Sequence, residues 1–268
     1  MPKKEISSLH SPYVERVKAL LNSRSKKTRK ETGEFIVDSA QVIMSALTNS
    51  EIINSSAKIL FATKSGIERL EKSNINIPET LEFYEVTDAV MAEMSEVETS
   101  QGLLMICEIL QPDLDIFLSM AKKIVFFWQL QDPGNAGTVI RSADACGFDG
   151  VILSNESVDI YSPKVIRSTV GSIWNIPIIN NVDIDVLIPK AADLGFTSYA
   201  LDAKANSEIS ELSLPEKCLL IFGNEARGLP NLPAEVYHVR IPMKGNIESF
   251  NVASAATIAM YEVGLRKR

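Results

Sequence analysis

Three glycine-bearing loops hold the residues of this chain best suited to chemistry. The first, Asp132-Pro-Gly-Asn-Ala-Gly, follows the apolar run Ile124–Leu130 and leads into a helix-like segment that carries Arg141. Asn135 there can orient a hydroxyl or a phosphate. Arg141, one to two turns further on, can face the same cleft. The second loop, Gly223-Asn-Glu-Ala-Arg-Gly-Leu-Pro, follows Leu219–Phe222. Gly223 lets backbone approach a ligand closely, and Glu225 suits a ribose or a cationic group. The third, Ile241-Pro-Met-Lys-Gly-Asn-Ile-Glu-Ser-Phe-Asn, leads into a small-residue helix starting near Ser249. Ser249 or the neighbouring Glu248 can cap that helix, and Asn251 either caps it too or points into a site. Taken singly, each loop reads equally well as an ordinary turn with a solvated polar residue. Together, all three at the ends of apolar runs, they predict one small-molecule site of the kind open parallel sheets build beyond the carboxyl ends of their strands.

Other chemistries lack their residues. The only histidines are His10 and His238, and no H-E-x-x-H, G-x-S-x-G or Cys–His pattern occurs. His238 sits in a strand-like run and reads as structural. There is no G-x-G-x-x-G and no G-x-x-x-x-G-K-[ST], so dinucleotide and P-loop readings are weak. Cys107, Cys146 and Cys218 are few, odd in number and far apart, which fits neither a disulfide framework nor a zinc site. The reaction is expected to need neither a metal nor a histidine base.

The surrounding pattern supplies the scaffold. Strand-like runs at 35–37, 58–62, 81–86 and 103–108 alternate with helical patterns at 13–21, 40–47, 67–72 and 88–94. This predicts a small α/β domain over 1–110. Arg24–Lys30 is too charged for core and reads as a loop or helix end. Residues 111–120 read as a linker. A second series begins at Ile124, with strands expected at 151–154, 197–201, 219–222 and 236–241 and helices at 136–146 and 252–265. Near-continuous apolar strands between helices predict a mostly parallel sheet covered on both faces, over 121–268.

At 268 residues, 46% hydrophobic and 23% charged, the chain has the composition of a globular protein of one or two domains. No apolar run approaches the ~20 residues that span a bilayer, and no apolar signal core follows Met1, which predicts a cytoplasmic protein with reduced thiols and no membrane partner. The net charge is −7, yet residues 1–30 hold nine basic residues against two acidic ones and so carry +7, leaving −14 on the rest. The basic run Lys26, Lys27, Arg29 and Lys30, with Lys3, Lys4, Arg16, Lys18 and Arg24 before it, suits contact with phosphate. It reads equally as a solvated helix face.

In order and wording, LQDPGNAGTVIRSADACGFDGVIL (130–153), LLIFGNEARGLP (219–230) and VRIPMKGNIESFNVASAATIAMYE (239–262) resemble motifs 1, 2 and 3 of the SpoU (TrmH) family of RNA ribose methyltransferases. YSPKVIRSTVGSIWNIPI (161–178) resembles the family's connecting segment, and the N-terminal stretch from Ser11 resembles its RNA-substrate-binding domain. Departures are Ala226 in place of a common glycine, Phe250 in place of a common leucine, and VDSAQ (37–41) where VEG is frequent.

The resemblance implies a SPOUT-type α/β fold whose last stretch threads a loop to form a deep trefoil knot, a rare exception to ordinary connectivity. It implies S-adenosylmethionine as cofactor, held by Phe222, Gly223, Glu225, Ile241, Met243, Ser249, Phe250, Asn251 and Ala253. It implies methyl transfer to a ribose 2′-OH, in ribosomal RNA first and transfer RNA as the alternative, or else a non-catalytic RNA-binding protein of the same fold. Arg141 matches the arginine assigned as base, with Asn135 orienting it or the ribose, and Glu225, Ser249 and Asn251 shaping the pocket. Arg167 and Ser168 match the connecting segment and can contribute where a homodimer completes the site, Arg167 as an RNA contact, or else serve at the surface or in packing.

Overall fold

The computed structural model describes residues 4–22, 26–97, 99–212 and 215–265. Two compact units emerge, Met1–Leu110 with Asp159–Trp174, and Gln111–Val158 with Asn175–Arg268. Among the described residues no helix is long and apolar enough to cross a membrane.

The first unit runs β1 (Glu5–Ile6), α1 (Pro12–Leu21), α2 (Lys26–Thr32), β2 (Glu34–Val37), α3 (Ala40–Leu47), α4 (Ser50–Ser55), β3 (Ala57–Ala62), α5 (Lys64–Lys72), β4 (Glu82–Val86), α6 (Asp88–Glu93) and β5 (Leu103–Glu108). Its five strands are ordered β1-β4-β3-β5-β2. β4 is parallel to β1 and β3, and β5 is antiparallel to β2 and β3. Local sequence explains the helix starts. Ser11 caps α1 through its hydroxyl and Pro12 takes the first turn, where a missing N–H costs nothing. Val14, Val17, Leu20 and Leu21 then form the buried stripe against Ile36, Phe61 and Leu104.

The second unit runs α7 (Leu114–Met120), β6 (Lys123–Phe127), α8 (Pro133–Ala145) and β7 (Gly150–Leu153). The chain then returns to the first unit for α9 (Pro163–Thr169) before β8 (Ile178–Ile179), α10 (Ile184–Asp193), β9 (Thr197–Leu201), β10 (Ser207–Glu208), β11 (Cys218–Phe222), β12 (Tyr237–Arg240) and α11 (Val252–Leu265). The seven strands lie in the order β10-β12-β9-β11-β6-β7-β8, every pair parallel. Every side chain of β11 is buried, as a strand covered on both faces requires. Ile124, Phe126, Leu219 and Ile221 pack with Phe117 of α7 and Leu187 of α10. By strand alternation, Val125, Phe127, Leu220 and Phe222 point to the other face, where Phe127 and Phe222 stack with ring centroids 5.1 Å apart.

Several expectations need correction. Residues 111–120 are not a plain linker: Asp113 caps α7, whose Phe117 and Leu118 are buried in the second unit's core. Lys26–Thr32 is helical rather than loop, and Arg29 is turned inward, 1% exposed. Lys3 and Arg24 lie outside the described residues. α8 starts three residues earlier than its apolar pattern predicts, because Asp132 caps it and Pro133 occupies its first position. The stretch Asp132–Gly137 is therefore mostly a first helical turn. The last helix runs Val252–Leu265, the span its apolar pattern predicts, and Ser249 lies three residues before it.

Candidate active site

β6 and β11 are neighbours in the sheet, but the chain leaves β6 toward β7 on one side and reaches β11 from β9 on the other. Such a reversal opens a crevice at the carboxyl edge of an open α/β sheet. The segments after β6, β9, β11 and β12 all emerge at that edge.

The turn after β11 is tightly built. Asn224 and Gly228 exchange backbone hydrogen bonds at 3.0 and 2.9 Å. The Asn224 side-chain oxygen accepts from the N–H groups of Ala226 and Arg227, and its amide donates to the Gln129 carbonyl at 2.8 Å. A Cβ on Gly223 would stand 2.5 Å from the Gly228 carbonyl carbon, so only glycine fits there. Gln129 takes a left-handed backbone conformation (φ 50°) just after β6. Sequence reasoning overlooked Gln129 and Asn224. Asn224 carried a signal, since Gly-Asn marks turns through side-chain bonds to its own backbone; Gln129 carried none.

At the rim of this turn three side chains form a directional chain. Asn135 Nδ2 donates to Glu225 Oε1 at 3.0 Å, and Asn251 Nδ2 donates to Asn135 Oδ1 at 3.2 Å. Asn251 Oδ1 accepts from the N–H groups of Ala253 (2.9 Å) and Ser254 (3.3 Å), capping α11. A carboxylate only accepts. Glu225 therefore fixes the Asn135 amide, which fixes the Asn251 amide, whose oxygen is left facing the helix N-terminus. One residue from each predicted loop takes part.

Beside this relay lies a cleft of about 710 Å³, lined among others by Phe222, Gly223, Glu225, Ile241, Met243, Ser249, Phe250 and Asn251. Eight of the nine residues expected to bind the cofactor thus share one concavity. Ala253 does not line it: it is buried in the first turn of α11, its N–H taken by Asn251. The cap expected of Ser249 or Glu248 belongs to Asn251 instead. The lining also includes residues that sequence reasoning left out, among them Asp202 and Lys204 after β9 and His238 of β12. His238 is exposed rather than buried, with Nδ1 3.3 Å from Asp202 Oδ2.

Arg141 is not in the cleft lining. It is exposed on α8 and has no hydrogen bond or ion pair among the described residues. Asn135 bonds to Glu225 and Asn251 rather than to Arg141. Two expected RNA contacts are otherwise engaged. Arg29 donates through Nε and Nη2 to Asp159 (2.8 and 2.6 Å) and through Nη1 to the Leu20 and Asn22 carbonyls. Burial removes it from any RNA surface. Arg167 Nη1 donates to Asp38 at 2.6 Å within the first unit. Burial raises the Asp38 carboxyl above its ordinary range despite the opposing pull of Arg167. The Ser168 hydroxyl donates to the Val165 carbonyl at 2.8 Å, a helix-internal bond. Lys26, Lys27 and Lys30 remain exposed on α2.

An all-parallel, doubly covered sheet with a cleft of about 710 Å³ at its carboxyl edge defines an α/β protein with a concavity of small-molecule size there. Residues 122–261 match the profile of the SpoU rRNA Methylase family, and residues 14–105 match an MRM3-like substrate binding domain. The first match covers more than half of the chain, which belongs to the SpoU rRNA methylase family. The chain is 28% identical over 264 residues, 96% of its length and 99% of the relative's, to the 23S rRNA (guanosine(2553)-2′-O)-methyltransferase RlmP of Bacillus subtilis. It is 29% identical over 252 residues, 91% and 86% of the two lengths, to the 23S rRNA (uridine(2479)-2′-O)-methyltransferase of Streptomyces viridochromogenes. Among solved structures, an AdoMet-bound rRNA methyltransferase from Sinorhizobium meliloti superposes with a TM-score of 0.82 at 28% identity, covering 97% of both chains.

Proposed function

We propose that this chain transfers the methyl group of S-adenosylmethionine to a ribose 2′-OH of ribosomal RNA. The observation that carries this is the Glu225–Asn135–Asn251 relay on the rim of the cleft, joining all three loops of the family pattern. Family membership and relatives named as 23S rRNA 2′-O-methyltransferases support it.

The cleft suits the cofactor. Phe222, Ile241, Met243 and Phe250 offer apolar surface for an adenine, while Asp202, Lys204 and Ser249 offer polar partners for an amino-acid moiety. At about 710 Å³ it falls within the ~300–1,000 Å³ of small-molecule sites. The cofactor supplies an electrophilic methyl group on a sulfonium. The chain's own residues do the rest. Gly223 keeps the turn close, and the Phe127 stack fixes Phe222. Asn135 and Glu225 hold the hydroxyl in line, Glu225 as the acceptor of its hydrogen bond. Arg141 is not given the hydroxyl proton, because a guanidinium is a poor base. It serves the RNA phosphate and the negative charge that develops on the 2′-oxygen as the hydroxyl proton passes to the Glu225 carboxylate, before that oxygen forms the O–CH3 bond and the S–CH3 bond breaks with its electron pair left on sulfur.

The same reading makes the protein a cytoplasmic homodimer with a knotted second unit. Ile258, Tyr261 and Leu265 recur at helical spacing as exposed apolar side chains on α11, which is tied to α8 by the Ser142–Thr257 hydrogen bond. Such a stripe suits a second copy, and Arg141 is on α8.

The test is transfer of labelled methyl from S-adenosylmethionine into total RNA of a strain lacking the protein, with the product mapped. One modified ribose in ribosomal RNA is expected, lost in Arg141→Ala. Label in transfer RNA alone would move the substrate assignment; absence of both transfer and cofactor binding would overturn the reading.

A further inference from the structure

A second hollow of about 400 Å³ opens at the carboxyl ends of β7 and β8. Four amide side chains line it, Gln111, Asn155, Asn180 and Asn181, together with apolar surface from Leu114, Ile179 and Val186. None of the four amides has a hydrogen-bond partner for its side chain among the described residues. The one ionisable lining residue, Asp183, is committed: its carboxylate accepts from the Asp185 N–H at 2.9 Å and caps α10.

We propose that this hollow is a nucleobase subsite, seating an unstacked base that flanks the ribose to be methylated. The proposal rests on the RNA reading given above. The lining carries no cation, so a phosphate would find no partner there. Amides offer both donors and an acceptor, which match the mixed donor and acceptor edge of a base. The apolar side chains receive its face. Position agrees as well. Asn155 is followed by Glu156, which accepts from Gln129 Nε2 (carboxylate, 2.8 Å) and Gln131 Nε2 (carbonyl, 2.6 Å). The Gln129 carbonyl in turn receives the Asn224 amide of the cofactor-side turn. Hollow and relay therefore lie on one carboxyl edge of one sheet. In the order β11-β6-β7-β8 the hollow stands one to two strand spacings of about 4.8 Å from β6, which leads to Asn135, and two to three from β11, which leads to Glu225. Sequence-specific RNA recognition takes place mainly on unstacked bases of this kind.

The test uses the full-length protein and fluorescein-labelled RNA hexamers of adenine, cytosine or uracil alone, followed by anisotropy. Asn155→Leu/Asn180→Leu removes two amides that hold nothing in the fold; Asn181 is left alone because its φ of 60° favours asparagine. Wild type should prefer one homopolymer by about fivefold or more, the discrimination of one good base contact. The double variant should bind all three alike, with its salt dependence and melting temperature retained. Equal binding by wild type, or an unchanged preference in the variant, would overturn the subsite. Titration of S-adenosylmethionine into both proteins separates the two readings. A wild type that binds cofactor and transfers methyl while the variant keeps its preference loses only the subsite. A wild type that binds no cofactor loses the methyltransferase reading, and the hexamers still decide the subsite.

Discussion

The Glu225 carboxylate accepts the Asn135 amide at 3.0 Å, and that single bond sets the direction of every amide behind it. Asn135→Ala would leave Glu225 without its donor and the Asn251 amide without its acceptor. kcat/KM for methyl transfer should fall about 100-fold, the scale of losing one positioned hydrogen-bonding group at a reacting centre. Melting temperature should hold, because the Asn251 cap on α11 survives. Asn135→Asp should be worse than alanine, since it sets two carboxylates against each other. Equal activities for the two variants would mean that Asn135 acts alone rather than through Glu225.

The buried pair Arg29–Asp159 joins residues 130 positions apart inside the first unit. Asp159 belongs to the stretch 159–174 by which the chain returns to this unit. Phe35–Tyr161 ring packing and the Trp174 indole bond to the Val42 carbonyl (2.9 Å) hold the same stretch. Removing one member of a buried pair strands the other charge. Asp159→Ala should therefore destabilise by about 3–5 kcal/mol, measured by urea denaturation, while Arg29→Met should lose less, because the Asp159 carboxylate it leaves is 16% exposed and keeps the Tyr161 N–H.

Much of this architecture was legible because its signals are local. Apolar runs marked the longer strands of both sheets, though not the two-residue β1, β8 and β10, and placed α8 three residues late. What stayed hidden depends on long-range pairing. Nothing near Arg29 distinguishes it from Lys26, Lys27 and Lys30; only Asp159, far along the chain, turns it inward. α10 has no counterpart among the helices predicted from the pattern; it holds Pro189, a residue that breaks helix interiors, yet Ile184, Leu187, Ile188 and Ala191 bury one face and hold the helix. The loops were found, but not their wiring. Sequence placed Asn251 on the third loop without deciding between cap and site, and the structure has it serve both ends at once, oxygen to the helix and amide to Asn135.

Glu34 gives the first unit a pH dependence of known sign. Burial pushes its carboxyl up, but hydrogen bonds from Arg16 and Lys58 outweigh this and hold it below the ordinary carboxylate range. A lowered folded value means that its contribution is complete above the unfolded pKa of about 4.3 and disappears as pH falls through the folded value. Glu34→Gln should be less stable than wild type at pH 7 by about 1–3 kcal/mol. The gap should narrow below pH 4. A gap constant from pH 7 to pH 3 in thermal unfolding would show that the side chain acts by packing rather than by charge.

The exposed lysines of α2 are left as the basic group to test against RNA now that Arg29 is committed inside. Lys27 makes only a surface pair with Glu31 at 3.7 Å, which is worth little to stability. Phosphate contact by Lys26, Lys27 and Lys30 would release counterions, so affinity should fall with log[salt] by about 0.7 per contact on single-stranded RNA. Replacing all three with Gln should weaken binding to ribosomal RNA uniformly across sequences and flatten the salt slope by about 2. The homopolymer preference should not change, because phosphate contacts position the RNA and carry no base information. A triple variant with an unaltered salt slope would reduce α2 to a solvated helix face and move the phosphate contacts elsewhere.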